Sequence, residues 1–309
     1  MRVVITEFMD DDAVAMLAAA HDVRYEPDLV DRPDELRRAV TQAHAIVVRN
    51  RTRVTRELLD HAAVLRVVGR LGVGLDNIDL ETCRERGIRV IPAPGANALA
   101  VAEYVMFTAM VLLRGVADCT ARVAGGEWPR AALSSGRELA GKTLGVIGFG
   151  SIGRKVAGLA RALDMNIVAC DPAIDADEIA WQRHGATPMR FHDLLSSADV
   201  ITLHVPLTAD TRHLVDADAL RRMKPDAVLI NTARGGVVDE QALAAALRAG
   251  RLAGAALDVF EHEPLPANSG LSDCPRLILT PHIAGVTAES NVRVSTMIAR
   301  NVAAALQSA

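Results

Sequence analysis

No Cys-x-x-Cys pair occurs in this chain, and its cysteines, Cys83, Cys119, Cys170 and Cys274, lie far apart. This spacing argues against a zinc site or a disulfide framework and is typical of a reducing compartment. The first residues, MRVVITEFMDDD, are acidic and contain no apolar core of signal-peptide length. We therefore expect a cytoplasmic protein with no metal site.

Runs of basic residues are also missing. The chain has 309 residues, with 34 Lys and Arg against 38 Asp and Glu, so its formal net charge is -4. This balance argues against a protein built to bind nucleic acid or an anionic membrane surface.

One apolar stretch is nearly long enough to span a bilayer. Residues 98–113 read ALAVAEYVMFTAMVLL, but Glu103 interrupts the run. A transmembrane helix needs about 20 apolar residues, so the stretch is too short. The pattern favours a helix buried at a domain or subunit interface.

The apolar residues that are present form two successive α/β patterns. Four short strands are predicted in the first hundred residues, namely RVVIT (2–6), AIVVR (45–49), LRVVGR (65–70) and IRVIP (88–92). The pattern restarts after residue 98 with five strands, which contain KTLGVIG, NIVACDP, VITLHVP, AVLINTA and GAALDVF. Strands that alternate with helical segments predict parallel sheets, and the chain length predicts two domains.

A glycine motif marks the start of the second pattern. GFGSIG places Gly148, Gly150 and Gly153 in G-x-G-x-x-G spacing, directly after the strand LGVI and before the helical run RKVAGLARAL. In this context the glycines permit a tight turn, close approach of a pyrophosphate, and close packing of helix on strand. Asp171 lies 18 residues beyond Gly153 at the end of the next strand. A carboxylate there accepts hydrogen bonds from ribose hydroxyls, which favours NAD over NADP.

The chain is therefore predicted to be α/β, with two Rossmann or flavodoxin-like doubly wound parallel-sheet domains and an active-site cleft between them. The segment 287–305 reads as a helix that cannot complete a domain by itself. We expect it to pack on the first unit. The predicted substrate domain comprises residues 1–97 and 283–309, and the NAD-binding domain comprises residues 98–282.

Three polar residues follow strands of the nucleotide-binding half. Arg234, Glu263 and His282 lie in INTARGGVVDE, LDVFEHEP and LTPHIAG. A guanidinium holds a 2-keto carboxylate, an imidazole gives and takes the alcohol proton, and a carboxylate orients the imidazole. Hydride transfer to nicotinamide requires this set of functions. The alternative for His282 alone is a structural histidine of the core.

Together these motifs resemble the D-isomer-specific 2-hydroxyacid dehydrogenase family, and within it the phosphoglycerate dehydrogenase-like branch without a regulatory domain. The matching text is GRLGVGLDNID, GFGSIG, NTARGGVVDE, DVFEHEP and TPHIAG. The resemblance implies that Arg234, Glu263 and His282 are catalytic. It also implies cofactor contacts at Ser151, Ile152, Asp171, Val205, Pro206, Thr232, Ala233, Arg234, Asp258, His282, Ala284 and Gly285, in addition to the three glycines.

The resemblance also gives expectations for the substrate and for the assembly. It implies a homodimer formed through residues 98–113, and backbone N–H groups of Val73 and Gly74 directed at the substrate carboxylate. Arginines matching Arg49 and Arg70 meet a distal phosphate in phosphoglycerate-type relatives, and an arginine matching Arg130 reaches in from the partner subunit. All three arginines are present here, which favours a 2-hydroxy acid with an anionic group at C3.

Two such acids fit, 3-phosphoglycerate and 3-sulfolactate. The segments ITEFMDDDAV and HIAGVTAESNVRVS resemble enzymes that act on the sulfonate, which favours 3-sulfolactate slightly. Two alternatives stay open at this point. One is a glyoxylate or hydroxypyruvate reductase, and the other is a non-catalytic NAD sensor of the corepressor kind.

Overall fold

The chain divides into two compact units. A computed structural model describes residues 1–117, 119–175 and 178–307, and it separates Met1–Asn97 with Val286–Ala309 from Ala98–Gly285. Residues 283–285, which the sequence analysis assigns to the first domain, belong to the second unit. The reason is local, because the backbone N–H groups of Ile283 and Ala284 donate to the Asp258 carboxylate at 2.7 and 2.8 Å.

The first unit contains a parallel sheet of five strands in the order β2-β1-β3-β4-β5. Its strands are β1 (Arg2–Ile5), β2 (Asp22–Tyr25), β3 (Ala45–Val48), β4 (Val67–Arg70) and β5 (Arg89–Ile91). Its first helices are α1 (Asp11–Ala18), α2 (Pro33–Val40), α3 (Arg56–Asp60) and α4 (Leu80–Glu85), with a short 3-10 helix at Leu29–Asp31. The edge strand β2 was not predicted, because DVRY has no apolar run and is only partly buried.

The second unit contains a parallel sheet of seven strands in the order β12-β11-β10-β9-β6-β7-β8. Its strands are β6 (Thr143–Ile147), β7 (Asn166–Cys170), β8 (Thr187–Pro188), β9 (Val200–Leu203), β10 (Val228–Asn231), β11 (Gly254–Leu257) and β12 (Leu277–Leu279). Its helices are α5 (Ala98–Arg114), α6 (Cys119–Ala124), α7 (Arg130–Leu133), α8 (Ser151–Ala162), α9 (Ile179–Arg183), α10 (Phe191–Ser197), α11 (Ala217–Arg222) and α12 (Glu240–Arg248). The strand order reverses between β6 and β9, which is where doubly wound sheets bind ligands.

The predicted α/β class with two parallel sheets is confirmed. The interface predicted for the apolar segment 98–113 stays a prediction. Helix α5 packs mainly within its own unit, against α8, β10 and β11, and ten of its residues are buried there. An apolar stripe still faces outward, with Leu99, Phe107 and Met110 exposed at 38%, 62% and 40%.

The last helix, α13 (Ala288–Gln307), packs on the first unit as expected. It lies against α1 and β4 and buries Ile298 and Val302 completely. Gly69 on β4 permits this contact, since a Cβ there would lie 2.8 Å from Val302 Cγ2 and 2.9 Å from Ile298 Cγ2. The helix therefore covers one face of the five-stranded sheet at close range.

Two kinds of feature are absent from the part of the chain that the structure describes. No helix within residues 1–117, 119–175 and 178–307 has the length and apolar character required to cross a membrane. The same part of the chain holds no group of three His, Cys, Asp or Glu side chains arranged to bind a metal ion.

Candidate active site

The glycine motif forms a turn between β6 and α8 that tolerates no side chain at two of its three glycines. Gly148 has φ +91°, and a Cβ there would lie 2.5 Å from the carbonyl oxygen of His204. A Cβ on Gly153 would lie 2.2 Å from the carbonyl oxygen of Gly148. Gly150 is different, because a Cβ there would meet no atom within 4 Å. The turn is thus tightly packed on the protein side and open beyond Gly150.

The amino terminus of α8 lies at this open position. Gly150 is the N-cap residue and provides no side-chain hydrogen bond, and Ser151 and Ile152 form the first turn. Uncapped N–H groups at a helix N-terminus form a binding site for phosphate. The backbone here therefore fits the pyrophosphate of a dinucleotide.

Asp171 is held beside the same turn. Its Oδ2 accepts the backbone N–H of Phe149 at 2.7 Å, and its Oδ1 accepts that of Ala173 at 3.0 Å. Each carboxylate oxygen has a further lone pair. The side chain is partly exposed, so these lone pairs are accessible to ribose hydroxyls.

The other predicted cofactor residues lie at the same edge of the sheet, because each follows the carboxyl end of a parallel strand. Val205 and Pro206 follow β9, Thr232 and Ala233 follow β10, Asp258 follows β11, and His282, Ala284 and Gly285 follow β12. Among the residues that the structure describes, the buried Thr232 Oγ1 has no hydrogen-bond partner. A buried hydroxyl without a partner is costly unless a ligand satisfies it, so this edge fits a bound dinucleotide.

His282 and Glu263 form a hydrogen-bonded pair. The Nδ1 atom of His282 lies 2.8 Å from Oε2 of Glu263. An ionised carboxylate is an acceptor only, so Nδ1 carries the proton and Nε2 is left as the reactive nitrogen. Within the described ranges Nε2 has no partner, and the imidazole is about 38% exposed. His282 also has φ +56°, an uncommon backbone conformation for a residue with a side chain.

The environment of Glu263 keeps its carboxyl group ionised. Burial opposes ionisation, but the hydrogen bond and charge of His282 outweigh it, and the pKa of Glu263 is lowered. The N–H of Phe260, which donates to Oε1 at 3.1 Å, and the charge of Arg234 act in the same direction. Glu263 therefore interacts with both other predicted catalytic residues, through a hydrogen bond with His282 and through the charge of Arg234.

A backbone contact that the sequence analysis did not identify brings the Arg234 and Glu263 loops together. A Cβ on Gly235 would lie 1.7 Å from the carbonyl oxygen of Phe260 and 2.7 Å from the backbone nitrogen of Glu261. Only glycine permits this approach. The second glycine of RGG has φ +80° and allows the chain to turn away. In the sequence, the two glycines directly after Arg234 were the feature from which this close backbone contact could have been predicted.

A second unpredicted feature holds the His282 loop. Asp258 is buried, and its Oδ1 accepts the hydroxyl of Thr280 at 2.7 Å as well as the N–H of Ile283. The Thr280 hydroxyl in turn lies 2.6 Å from that of Tyr104 on α5. Asp258 was predicted as a cofactor contact, and in the structure its carboxylate anchors the segment that carries His282.

Four predicted substrate residues lie in the first unit, at the carboxyl ends of neighbouring strands. Arg49 follows β3, and Arg70 ends β4, where it pairs with Val48. The Arg70 side chain folds back over Gly72 and donates from Nη1 to the carbonyl of Leu71 at 2.8 Å.

The loop after Arg70 offers backbone donors. Within residues 1–117, 119–175 and 178–307, the N–H groups of Val73 and Gly74 find no acceptor, and Val73 is 38% exposed. This loop is therefore able to bind a carboxylate. Arg130, the remaining predicted substrate arginine, is exposed on α7 of the second unit.

Comparison with known proteins identifies the family to which this chain belongs. Residues 106–284 match the family model described as "D-isomer specific 2-hydroxyacid dehydrogenase, NAD binding domain". The (S)-sulfolactate dehydrogenase of Chromohalobacter salexigens is 53% identical over 98% of both chains. The D-3-phosphoglycerate dehydrogenase of Methanocaldococcus jannaschii is 40% identical over 98% of this chain but only 57% of its own length.

A solved structure shares the fold and has its ligands bound. The D-lactate dehydrogenase of Aquifex aeolicus, complexed with NAD and lactic acid, is 30% identical and superimposes with a TM-score of 0.86. The match covers 99% of this chain and 96% of that chain.

Proposed function

Because the chain belongs to the D-isomer-specific 2-hydroxyacid dehydrogenase family, we propose that it interconverts (S)-3-sulfolactate and 3-sulfopyruvate. The NAD-dependent dehydrogenase class and the cofactor predicted from the motifs are confirmed. The S label fits the family, since sulfur gives the C3 branch priority over the carboxylate. The label therefore describes the same arrangement in space as an ordinary D-acid.

The observation that carries the proposed substrate is the arginine pair at the ends of β3 and β4. Arg49 is half-buried, and burial lowers its pKa, yet a guanidinium stays charged in proteins. A desolvated cation with unused donors favours an anionic ligand. The relative with 53% identity acts on a C3 sulfonate by its name, whereas the phosphoglycerate dehydrogenase is 40% identical.

The residues of the second unit then divide the chemistry. NAD, when bound, accepts or supplies the hydride at C2. Nε2 of His282 accepts the hydroxyl proton in oxidation and returns it in reduction, while Glu263 stabilises the imidazolium and fixes its orientation. Arg234 binds the carboxylate and polarises the keto oxygen. In this proposal the first unit supplies Arg49, Arg70 and the 73–74 loop.

A panel of four 2-keto acids tests the substrate. NADH oxidation is measured with 3-sulfopyruvate, 3-phosphohydroxypyruvate, hydroxypyruvate and glyoxylate. We expect the highest kcat/KM with 3-sulfopyruvate. A higher kcat/KM with 3-phosphohydroxypyruvate would mean that the natural substrate carries a C3 phosphate and not a C3 sulfonate. A higher value with hydroxypyruvate or glyoxylate would reject the C3-anion assignment.

The cofactor preference is predicted to depend on Asp171. Its carboxylate repels the 2′-phosphate of NADP, so Asp171→Asn should raise the kcat/KM ratio of NADPH to NADH by about tenfold or more. Asparagine retains an acceptor for the Phe149 N–H, which limits structural damage. The matched control is Asp164→Asn, two residues before the start of β7. An unchanged ratio in Asp171→Asn, or an equal change in the control, would contradict the prediction.

We also propose a homodimer that uses the outward stripe of α5. Leu99, Phe107 and Met110 lie on one helical face, and Trp128 in the following segment is 79% exposed. Glu103 is exposed on the same face of α5, and the large apolar side chains around it favour an interface. The dimer is also the arrangement in which Arg130 reaches the partner's substrate.

A cytoplasmic location is supported by the four unpaired cysteines.

Phe107→Glu is expected to dissociate this dimer. Burying an unpaired carboxylate costs about 3 kcal/mol or more, which weakens association by roughly a hundredfold. Light scattering at micromolar concentration should report a dimer for the wild type and a monomer for the variant. Met16→Glu, an equivalent change on the exposed face of α1, should remain dimeric. A monomeric wild type would end the proposal.

A further inference from the structure

The loop that carries Arg49 is held from both sides by polar side chains. Glu7, which follows β1, is only 4% exposed, and its carboxylate accepts the backbone N–H groups of Arg49, Arg51 and Thr52 at 2.8, 3.0 and 2.9 Å. The amide of Asn77 donates to the carbonyls of Arg49 and Thr52 at 3.1 and 2.7 Å. The backbone from which the Arg49 side chain projects is therefore fixed.

The Arg49 side chain has its own support. Nη2 donates to Oδ1 of Asn291, in the first turn of α13, at 2.8 Å. The Phe8 ring lies below the guanidinium, with 5.8 Å between Cζ and the ring centroid. No residue in the described ranges accepts a hydrogen bond from Nε or Nη1 of Arg49. One nitrogen is thus held by the protein, and two remain as donors for a ligand.

The charge balance around Arg49 keeps these two donors unoccupied. Burial lowers the pKa of Arg49, and the negative charge of Glu7 opposes this effect. The oxygens of Glu7 are taken up by backbone N–H groups, so this carboxylate compensates the cation without binding its donors. Among the described residues, only the neutral side chain of Asn291 is hydrogen-bonded to the guanidinium. A carboxylate there would form an ion pair and compete with an anionic substrate.

We infer that Asn291 is a specificity-determining positioning residue, which holds the Arg49 guanidinium through a neutral amide and leaves Nε and Nη1 for the C3 anion of the substrate. This inference rests on the proposed function, because it takes Arg49 to bind that anion. It adds that the discrimination for an anionic C3 group depends on the charge of the residue at 291 as well as on Arg49 itself.

The test compares Asn291→Asp with Asn291→Ala and with a control of the same chemistry, Asn301→Asp, at an exposed site on the same helix. Asn291→Asp changes one atom and adds one charge. It should raise KM for 3-sulfopyruvate by about tenfold to a hundredfold, the effect of losing a charged hydrogen bond. We expect a smaller rise in Asn291→Ala, which loosens the arginine without neutralising it. KM for hydroxypyruvate, and kcat for both substrates, should stay near the wild type in all three variants.

Arg49→Ala, measured beside them, separates the two possible failures. If Arg49→Ala discriminates between the substrates but Asn291→Asp does not, the role of Asn291 is wrong and the proposed function stands. If Arg49→Ala itself does not discriminate, the proposed substrate is wrong, and the inference falls with it. Equal KM increases for both substrates in Asn291→Asp and Asn291→Ala would assign Asn291 a structural role and overturn the inference. Thermal unfolding shows whether each variant is folded.

Discussion

Replacing His282 with asparagine is expected to lower kcat by about a hundredfold to ten-thousandfold, while NADH still binds. A positioned general acid–base group contributes roughly this factor, and Nε2 of His282 is the nitrogen left available by the bond to Glu263. Asparagine is preferred to alanine as the replacement because His282 has φ +56°, and asparagine tolerates that backbone conformation. Steady-state kinetics gives kcat, and NADH fluorescence titration gives the binding constant.

The chain contains a closely matched control for this experiment. His213 also has a positive φ, +50°, and its Nε2 atom lies 3.2 Å from Oε1 of Glu261 in the same unit. His213→Asn therefore removes a histidine–glutamate pair and places asparagine on a similar backbone, at a side chain that takes no part in the proposed chemistry. Its kcat should stay within about threefold of the wild type, far less than a general-base effect. Near wild-type kcat in His282→Asn would remove His282 from the mechanism.

Arg49→Ala is expected to raise KM for 3-sulfopyruvate by about tenfold to a hundredfold and to change KM for hydroxypyruvate by less than about threefold. Charge-assisted hydrogen bonds to a partly desolvated anion account for the first number, and hydroxypyruvate has no C3 charge to lose. Arg70→Ala should act in the same direction, since Arg70 lies at the end of the neighbouring strand.

Arg51→Ala controls for the loss of positive charge from the same loop. The Arg51 side chain pairs with Asp31 at the surface, and exposed pairs contribute little to stability. We expect wild-type kinetics with both substrates from this variant. If Arg49→Ala and Arg70→Ala changed kcat/KM for the two substrates by the same factor, the arginines would be structural. The substrate would then be one of the small acids without a C3 charge.

The central strands of both sheets and the edge strand β5 were predictable from sequence, and the other edge strands were not. Strands such as β3 and β9 are buried on both faces and read as continuous apolar runs. β8 consists of two residues including a proline, and β12 of three residues that are only partly buried. Such strands form because a neighbouring strand is present to pair with. Their own sequences show little of the apolar pattern from which a strand is predicted.

In the candidate site, too, some residues were predictable from sequence and others were not. The roles of three residues could be predicted because each follows a strand at the spacing of a known motif, namely Gly148, Asp171 and His282. Glu7 and Asn291 were missed because their partner, Arg49, is 42 and 242 positions away along the chain. Contacts at such separations exist only after the sheet and α13 have formed.

The position of α13 has a consequence for synthesis on the ribosome. The second unit is one contiguous stretch, Ala98–Gly285, and all its strands and helices have been made before the helix that covers β4 is translated. The strands of the five-stranded sheet are translated first, yet one apolar face of this sheet stays uncovered until Ile298 and Val302 have been translated. Domains usually mature in the order in which they are translated. We expect the reverse here, with the later unit folding first and the earlier sheet exposed to chaperones or to misassembly until residues 288–307 emerge.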